Sequence, residues 1–255
     1  MEREIWMERM TWQEVEQAMA DGFDTVLLIA GSIEQHGPHL PLGTDTFLGY
    51  AMADYTARKM GNTLVAPVIR PGMSEHHMHF KGTLTLSKET FQAVVRDVVS
   101  SLVRHGFKRI AITFSHGGNE AALEELMPQL ADKYPQVDIL SMIEEDAFSS
   151  SVGSILERDS ITPQQMGVHA GEMETSMMLD WEEKLVHQDR LEQGYMGDFG
   201  HEDPQMVKAL SEGLHMVTKN GVLGDARFAS KLRGHDYNDA VADYAAKHFK
   251  KVEGK

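Results

Sequence analysis

Acidic and histidine side chains are concentrated in the segment Ala30–Asp45, which reads AGSIEQHGPHLPLGTD. It contains the carboxylates Glu34 and Asp45 together with the imidazoles His36 and His39. Carboxylate oxygen and imidazole nitrogen are the donors that proteins use for zinc, manganese and iron, and a shared aspartate can bridge two ions about 3.5–4 Å apart. The segment therefore predicts a metal site, although a capping glutamate beside solvated histidines is an alternative.

The elements around this segment favour the metal site. The apolar run Thr25–Ala30 (TVLLIA) directly precedes it and predicts a buried strand. Glycine and proline recur within the segment and predict a rigid loop; they are Gly31, Gly37, Pro38, Pro41 and Gly43. A rigid loop after a strand holds side chains at fixed separations, as metal ligands require.

A second candidate loop follows the apolar run Phe107–Phe114 (FKRIAITF), where the chain continues as SHGGNE. His116 then lies at the carboxyl end of a predicted strand, which is where open α/β folds bind ligands. Gly117 and Gly118 let the backbone approach an ion or substrate closely. We expect His116 to be a ligand and both glycines to contact substrate, although a strand-end histidine can also be purely structural.

Three histidines occur within four residues in RPGMSEHHMHFK, at His76, His77 and His79. No neighbouring residue at a suitable spacing completes a separate metal site. The cluster therefore predicts contact with substrate, with His77 as the candidate, or packing between subunits.

A third candidate region is Val168–Leu179, which reads VHAGEMETSMML. If a helix begins near Gly171, His169 precedes its first turn and Glu174 lies within that turn. Acidic residues there also suit the positive end of the helix dipole, so capping is the alternative interpretation.

Three motifs, in their order and spacing, resemble those of the creatininase (creatinine amidohydrolase) family. They are GSIEQHGPHLPLGTD, SHGGN and HAGEMETS. The resemblance extends from about Thr25 to Gly224. It implies an α/β fold with three layers, α/β/α, and a mainly parallel sheet, in one domain over residues 1–255. It also implies a homo-oligomer, a hexamer in this family, and a binuclear zinc or manganese site.

The resemblance further implies individual roles. Glu34 and His36 would bind different ions, Asp45 would bridge them, and His116 would join the ion that holds Glu34. His169 matches the family's proton shuttle.

One position departs from the family pattern. True creatininases have a second carboxylate two residues after the histidine of the middle motif, whereas this chain has Gly118. We expect Glu174, which matches the family's ETS glutamate, to replace it, rather than Glu120, which belongs to no motif. One tight ion instead of two is the alternative. Creatininases also place tryptophan beside their substrate near the later motifs, and no aromatic residue directly precedes His169, which disfavours creatinine itself.

The expected activity is metal-assisted hydrolysis of a C–N bond in a small cyclic amide or formamide. Zinc is favoured by the imidazole ligands, while manganese and iron accept the same set. The alternatives are C–C ring opening of a cyclic diketone such as a diketo-inositol, and a non-catalytic metal-containing scaffold.

Composition narrows the partners. A formal charge of −15 disfavours nucleic acid and anionic membrane surfaces. The chain has no cysteine, so any metal must bind through nitrogen and oxygen. The N-terminus MEREIWMERM lacks an apolar signal core. We therefore expect a cytoplasmic enzyme that acts on a small molecule.

Overall fold

The computed structural model describes residues 3–142, 145–200 and 202–251, so the two ends of the predicted single domain lie outside the described residues. Strands and helices alternate as far as the fourth strand, and five α-helices follow it within the described residues. The strands are β1 (Thr25–Ala30), β2 (Thr63–Val65), β3 (Arg109–Phe114) and β4 (Asp138–Ser141). The helices are α1 (Trp12–Ala20), α2 (Thr44–Met60), α3 (Lys88–His105), α4 (Glu120–Lys133), α5 (Glu145–Asp159), α6 (Pro163–Met166), α7 (Glu172–Glu182), α8 (Pro204–Glu212) and α9 (Lys231–Lys251).

The described strands form one parallel sheet in the order β2–β1–β3–β4. β1 pairs with β3 over its whole length, from Thr25 opposite Arg109 to Ala30 opposite Phe114. The two strands therefore end side by side. As a result, the loops that follow them begin at neighbouring positions on the carboxyl edge of the sheet, where parallel sheets place ligand sites.

Alternate side chains of β1 face opposite layers, as the period of a strand requires. Val26 and Leu28 pack into one core with α1, α3 and α4. Leu27 and Ile29 pack into another with α2 and α9. Helices thus cover both faces of the sheet, and the predicted three-layer α/β/α fold with a mainly parallel sheet is confirmed.

Two element boundaries near the site differ from the sequence expectation. The spacing of apolar residues predicts a helix from Thr46, but α2 begins at Thr44 and so includes Asp45 in its first turn. The apolar run Thr63–Ile69 predicts a strand of that length, but β2 ends at Val65. Pro67 follows closely and has no N–H to donate to a ladder, which explains the early end.

The sequence predicts a helix that Ser87 opens as its N-cap and that runs to about His105, and α3 agrees with this prediction. The Ser87 hydroxyl accepts a hydrogen bond from the backbone N–H of Thr90 and caps the helix. None of the helices within the described ranges is both long and apolar enough to cross a membrane.

Candidate metal centre

Six of the predicted site residues converge in one buried cluster, although they come from four separate stretches of chain. Two follow β1, one lies in the first turn of α2, one follows β3, and two flank the start of α7. They are Glu34, His36, Asp45, His116, His169 and Glu174. The first five are less than 9% exposed, and the Glu174 side chain is 18% exposed. The fold therefore gathers these carboxylates and imidazoles away from bulk water.

Asp45 lies at the centre of the cluster and presents one oxygen to each side. Its Oδ1 is 3.2 Å from His36 Nε2, and its Oδ2 is 3.3 Å from His116 Nδ1. On the first side, Glu174 Oε2 lies 3.8 Å from His36 Nε2. On the second side, Glu34 Oε1 lies 3.3 Å from His116 Nδ1. Two groups of possible ligands thus share one aspartate, which is the geometry of a bridged binuclear site.

Several oxygens in the cluster have no hydrogen-bond donor. Both carboxylate oxygens of Glu34 and Oδ2 of Asp45 are fully buried without a hydrogen bond. Burying ionised carboxylate oxygens without a partner costs several kcal/mol or more, on the order of the desolvation penalty of the charge. Bound cations would satisfy these oxygens, so the residues present fit a pair of divalent ions.

Backbone carbonyls orient the two imidazoles that face Asp45. His36 Nδ1 donates to the carbonyl of Glu34 at 3.2 Å, and His116 Nε2 donates to the carbonyl of Met73 at 3.0 Å. Each ring therefore carries its hydrogen on the nitrogen that points away from Asp45. The opposite nitrogen faces the cluster, and it can give a lone pair to a bound ion once its own proton is displaced.

The charges within the cluster perturb each other strongly. Burial lowers the pKa of His36, but Asp45 and the other carboxylates outweigh burial and raise it to about 9. The pKa of His116 is likewise raised well above its usual value against burial, with Glu34 contributing most. Burial raises the pKa of Glu34 and Asp45, but these imidazoles outweigh it and hold both values below the usual range. Without an ion, protons on two imidazoles supply the positive charge that the carboxylates need.

For two further site residues burial outweighs the neighbouring charges, so their pKa values shift in the direction that favours the uncharged form. Burial lowers the pKa of His169 to about 3, with repulsion from His36 adding to the effect. Burial raises the pKa of Glu174 to about 7, against the attraction of His36. At neutral pH His169 is therefore an uncharged imidazole.

The glycine that replaces the expected carboxylate has a packing reason. A Cβ atom at Gly118 would collide with His116 Nε2 and with the Met73 carbonyl oxygen. Gly118 therefore lets these two groups lie close to the backbone, and its contact with substrate stays a prediction. A Cβ at Gly117 would have no neighbour within 4 Å. Among the described residues Glu120 belongs to none of the convergent ligand groups, whereas Glu174 does.

Two members of the histidine cluster reach the site. His77 Nε2 lies 3.3 Å from Glu34 Oε1, and ligand atoms of Glu34, His76 and His77 lie within 4.8 Å of one another. Glu34 is the acidic partner that local spacing could not identify, because it comes from a distant segment. The rings of His79 and His215 stack instead, with centroids 3.6 Å apart.

His39 is not brought into any of the convergent ligand groups. It is fully buried, and its Nε2 forms a hydrogen bond with the Thr175 hydroxyl at 2.9 Å. It therefore joins the first loop to α7.

The sequence interpretation missed Asn119. Its Nδ2 donates to the carbonyls of Ala30 and Gly31, at 3.2 and 3.0 Å, and its Oδ1 accepts from the backbone N–H of Met73 at 2.9 Å. Since the Met73 carbonyl orients His116, this amide links the end of β1 to a metal-facing imidazole. Its position in the SHGGN motif was the available signal.

Comparisons with known proteins find several relatives of this chain. The mycofactocin precursor peptide peptidase of Mycobacterium ulcerans is 30% identical over 218 residues, which cover 82% of this chain and 78% of the relative. The creatinine amidohydrolase of Pseudomonas putida is 30% identical over 130 residues, covering 49% of this chain and 50% of the relative. The 3-dehydro-scyllo-inosose hydrolase of Thermotoga maritima is 25% identical over 261 residues, covering 95% and 82%.

Solved structures share the fold. A manganese form of creatininase superposes with a TM-score of 0.82 at 24% identity, over 99% of this chain and 100% of that one. A zinc–zinc form of a mutant creatininase gives a TM-score of 0.81 at 23% identity over the whole of both chains. The sequence model of the creatininase (creatinine amidohydrolase) family matches residues 8–249. The chain therefore belongs to the creatininase family.

Proposed function

We propose that this creatininase-family hydrolase binds two divalent ions, zinc or manganese, and uses them to cleave a C–N bond in a small polar substrate. One ion would be held by Glu34, His116 and Asp45. The other would be held by His36, Asp45 and Glu174. The observation that supports this assignment most strongly is the pair of ligand groups that share Asp45, one oxygen on each side.

Ions held in this way lower the pKa of a bound water to about 7 and polarise the carbonyl of the substrate. His169 supplies the remaining proton chemistry. Its Nε2 donates to the carbonyl of Gln35 at 2.7 Å, which leaves the Nδ1 lone pair 3.7 Å from Glu34 Oε1 and facing the cluster. An uncharged imidazole with a lone pair beside the reacting centre can accept a proton there and pass it to the leaving nitrogen.

The charges of the site favour a neutral or singly anionic substrate. Three carboxylates, Glu34, Asp45 and Glu174, offset three of the four positive charges of two divalent ions. The two imidazoles beside them, His77 and His169, are held uncharged because burial lowers the pKa of each. A cyclic amide or a formamide meets this requirement, and His77 would contact its polar atoms.

Peptide-bond cleavage is the second candidate. It is favoured by the relative that covers 82% of this chain, a peptide peptidase, whereas the creatinine amidohydrolase covers 49%. Ring opening of a cyclic diketone also stays a candidate, because the relative that covers 95% of the chain is a hydrolase of 3-dehydro-scyllo-inosose. A metal-containing scaffold is disfavoured, since a structural site would not leave a lone pair such as that of His169 facing the ions.

Activity screening separates these candidates. The protein would be reconstituted with zinc or manganese and incubated with cyclic ureides, formamides, short peptides and cyclic diketones, with product followed by mass spectrometry. We expect turnover of a cyclic amide or formamide that disappears in Asp45→Asn. Turnover of peptides alone would establish the second candidate, and turnover of no class with both ions bound would indicate the scaffold. Assembly into a hexamer stays a prediction that light scattering can check.

A further inference from the structure

Gln35 lies between two of the proposed ligands, Glu34 and His36, and is 6% exposed. Its side chain reaches two other imidazoles of the site. The amide nitrogen Nε2 lies 3.0 Å from His77 Nδ1 and 2.9 Å from His169 Nε2. A single amide group therefore contacts two site histidines, His77 and His169, to which the proposed function gives no ion.

Two backbone groups fix the orientation of this amide. Oε1 accepts a hydrogen bond from the N–H of Gly37 at 3.0 Å, and Nε2 donates to the carbonyl of Gly221 at 3.1 Å. Rotating the amide by 180° would place its oxygen against the carbonyl oxygen of Gly221 and its NH₂ group against the N–H of Gly37. A Cβ at Gly221 would collide with the amide, so the glycine permits this close approach.

The hydrogen positions on both imidazoles follow by elimination. His169 Nε2 lies 2.7 Å from the Gln35 carbonyl oxygen, which can only accept, so this nitrogen carries the hydrogen. It cannot then accept from the amide as well. One amide hydrogen is used by Gly221, and the other goes to His77 Nδ1, which must accept it with a lone pair.

The two rings therefore present opposite groups to the cluster. His77 carries its hydrogen on Nε2, 3.3 Å from Glu34 Oε1, while His169 presents the bare Nδ1, 3.7 Å from the same oxygen. The ring centroids are 4.5 Å apart.

We propose that Gln35 is the positioning residue that holds the ring hydrogen on Nε2 in both His77 and His169, and that it thereby prevents His77 from binding an ion together with Glu34 and His76. The inference rests on the proposed function, because it assumes that ions occupy the two groups around Asp45. Two of the four convergent groups found among the described residues lie outside the proposed ion pair. The limit on ion binding applies to Glu34, His76 and His77, and not to Glu34, His36 and His169. A hydrogen on His77 Nε2 occupies the lone pair that a third ion would need.

The amide also explains how this limit can be removed. A histidine that binds zinc commonly donates its other ring N–H to a carboxylate. Gln35→Glu would place a carboxylate of the same shape against His77 Nδ1, at the cost of the hydrogen bond to the Gly221 carbonyl and of an oxygen facing that carbonyl. The hydrogen of His77 would then move to Nδ1 and leave the Nε2 lone pair facing Glu34 and His76.

Neutron diffraction from deuterium-exchanged crystals of the zinc-loaded protein tests the hydrogen positions directly. We expect deuterium on Nε2 of both His77 and His169 and none on either Nδ1. Deuterium on either Nδ1 would overturn the proposal. This measurement needs no substrate, so it decides the proposal even if the protein hydrolyses none of the compounds screened.

Metal content provides the second test. The zinc content measured by elemental analysis should rise from about two ions per chain to about three in Gln35→Glu. It should stay at about two in the exposed control Gln13→Glu. Anomalous diffraction should place the added ion between His76 and His77. A folded Gln35→Glu variant without a third ion would overturn the proposal, and if that variant does not fold, the neutron result on the unaltered protein still decides it.

Discussion

Replacing Glu174 by glutamine should have opposite effects on the metal-free and metal-loaded protein. In the metal-free state Glu174 is a carboxylate in the first turn of α7, and its Oε2 accepts the Ala170 N–H at 2.5 Å. Burial raises its pKa from 4.5 to about 7, despite the attraction of His36. A raised carboxyl pKa means that the ionised form destabilises the fold.

The size of this cost follows from the two pKa values. A rise from 4.5 to about 7 corresponds to about 3 kcal/mol of unfolding free energy lost at high pH. The cost is absent below pH 4.5, where the carboxyl is protonated in both states, and is complete above pH 7. Glu174→Gln removes it, so the metal-free variant should melt about 6–12 °C higher than the unaltered protein at about pH 8, with no gain near pH 4.

The loaded protein should respond in the other direction. The Glu174 carboxylate supplies a negative charge to the ion shared with His36 and Asp45. Loss of one unit charge about 4 Å from a divalent ion is worth about 8 kcal/mol at an effective dielectric constant of 20, so the affinity should fall by several orders of magnitude. One of the two ions should therefore dissociate from Glu174→Gln under conditions in which the unaltered protein keeps both.

Two measurements on the same samples test these effects. Thermal unfolding with a chelator at both pH values measures the stability of the metal-free protein, and elemental analysis after zinc loading measures the number of bound ions. Glu120→Gln is the matched control, because among the described residues Glu120 belongs to no convergent ligand group. It should keep both ions and show no such gain in melting temperature. If Glu174→Gln retains both ions, or if its metal-free form gains no stability at high pH, the reasoning is wrong.

Three further predictions concern other parts of the site. His169→Gln should lower kcat by about 10²–10⁴-fold and leave the metal content unchanged; a loss of metal would make His169 a ligand. Gly118→Ala should displace the His116 ring and weaken zinc binding measured by chelator competition, whereas Gly117→Ala, where a Cβ meets nothing within 4 Å, should bind zinc normally. Zinc must expel the proton of His36, whose pKa is about 9, so zinc affinity should rise with pH up to about 9. Calorimetry in buffers of different ionisation enthalpy should detect the released proton, and affinity independent of pH would contradict this assignment.

The sequence was sufficient to predict the fold class and the place of the site because both depend on local patterns. The apolar runs before the first two motifs predicted strands, and ligands that follow adjacent parallel strands must meet at one edge of the sheet. Glu174 could be favoured over Glu120 because it matches the glutamate of the family's ETS motif, whereas Glu120 belongs to no motif.

The remaining features depend on contacts between segments that are distant in sequence. The hydrogen bonds of Gln35 to Gly221 and of Asn119 to Gly31 join a side chain to a backbone group, so no pattern of residue types identifies the backbone partner. The packing role of Gly118 likewise depends on Met73, which lies 45 residues earlier in a different loop. Local spacing also gave no partner for His77, because that partner is Glu34.

The central claim is that two ions lie on either side of Asp45. Anomalous diffraction from crystals of the zinc- or manganese-loaded protein tests it most directly. We predict two peaks per chain about 3.5–4 Å apart, one between Glu34 and His116 and one between His36 and Glu174, with Asp45 bound to both. A single peak, or a second peak away from Asp45, would contradict the account.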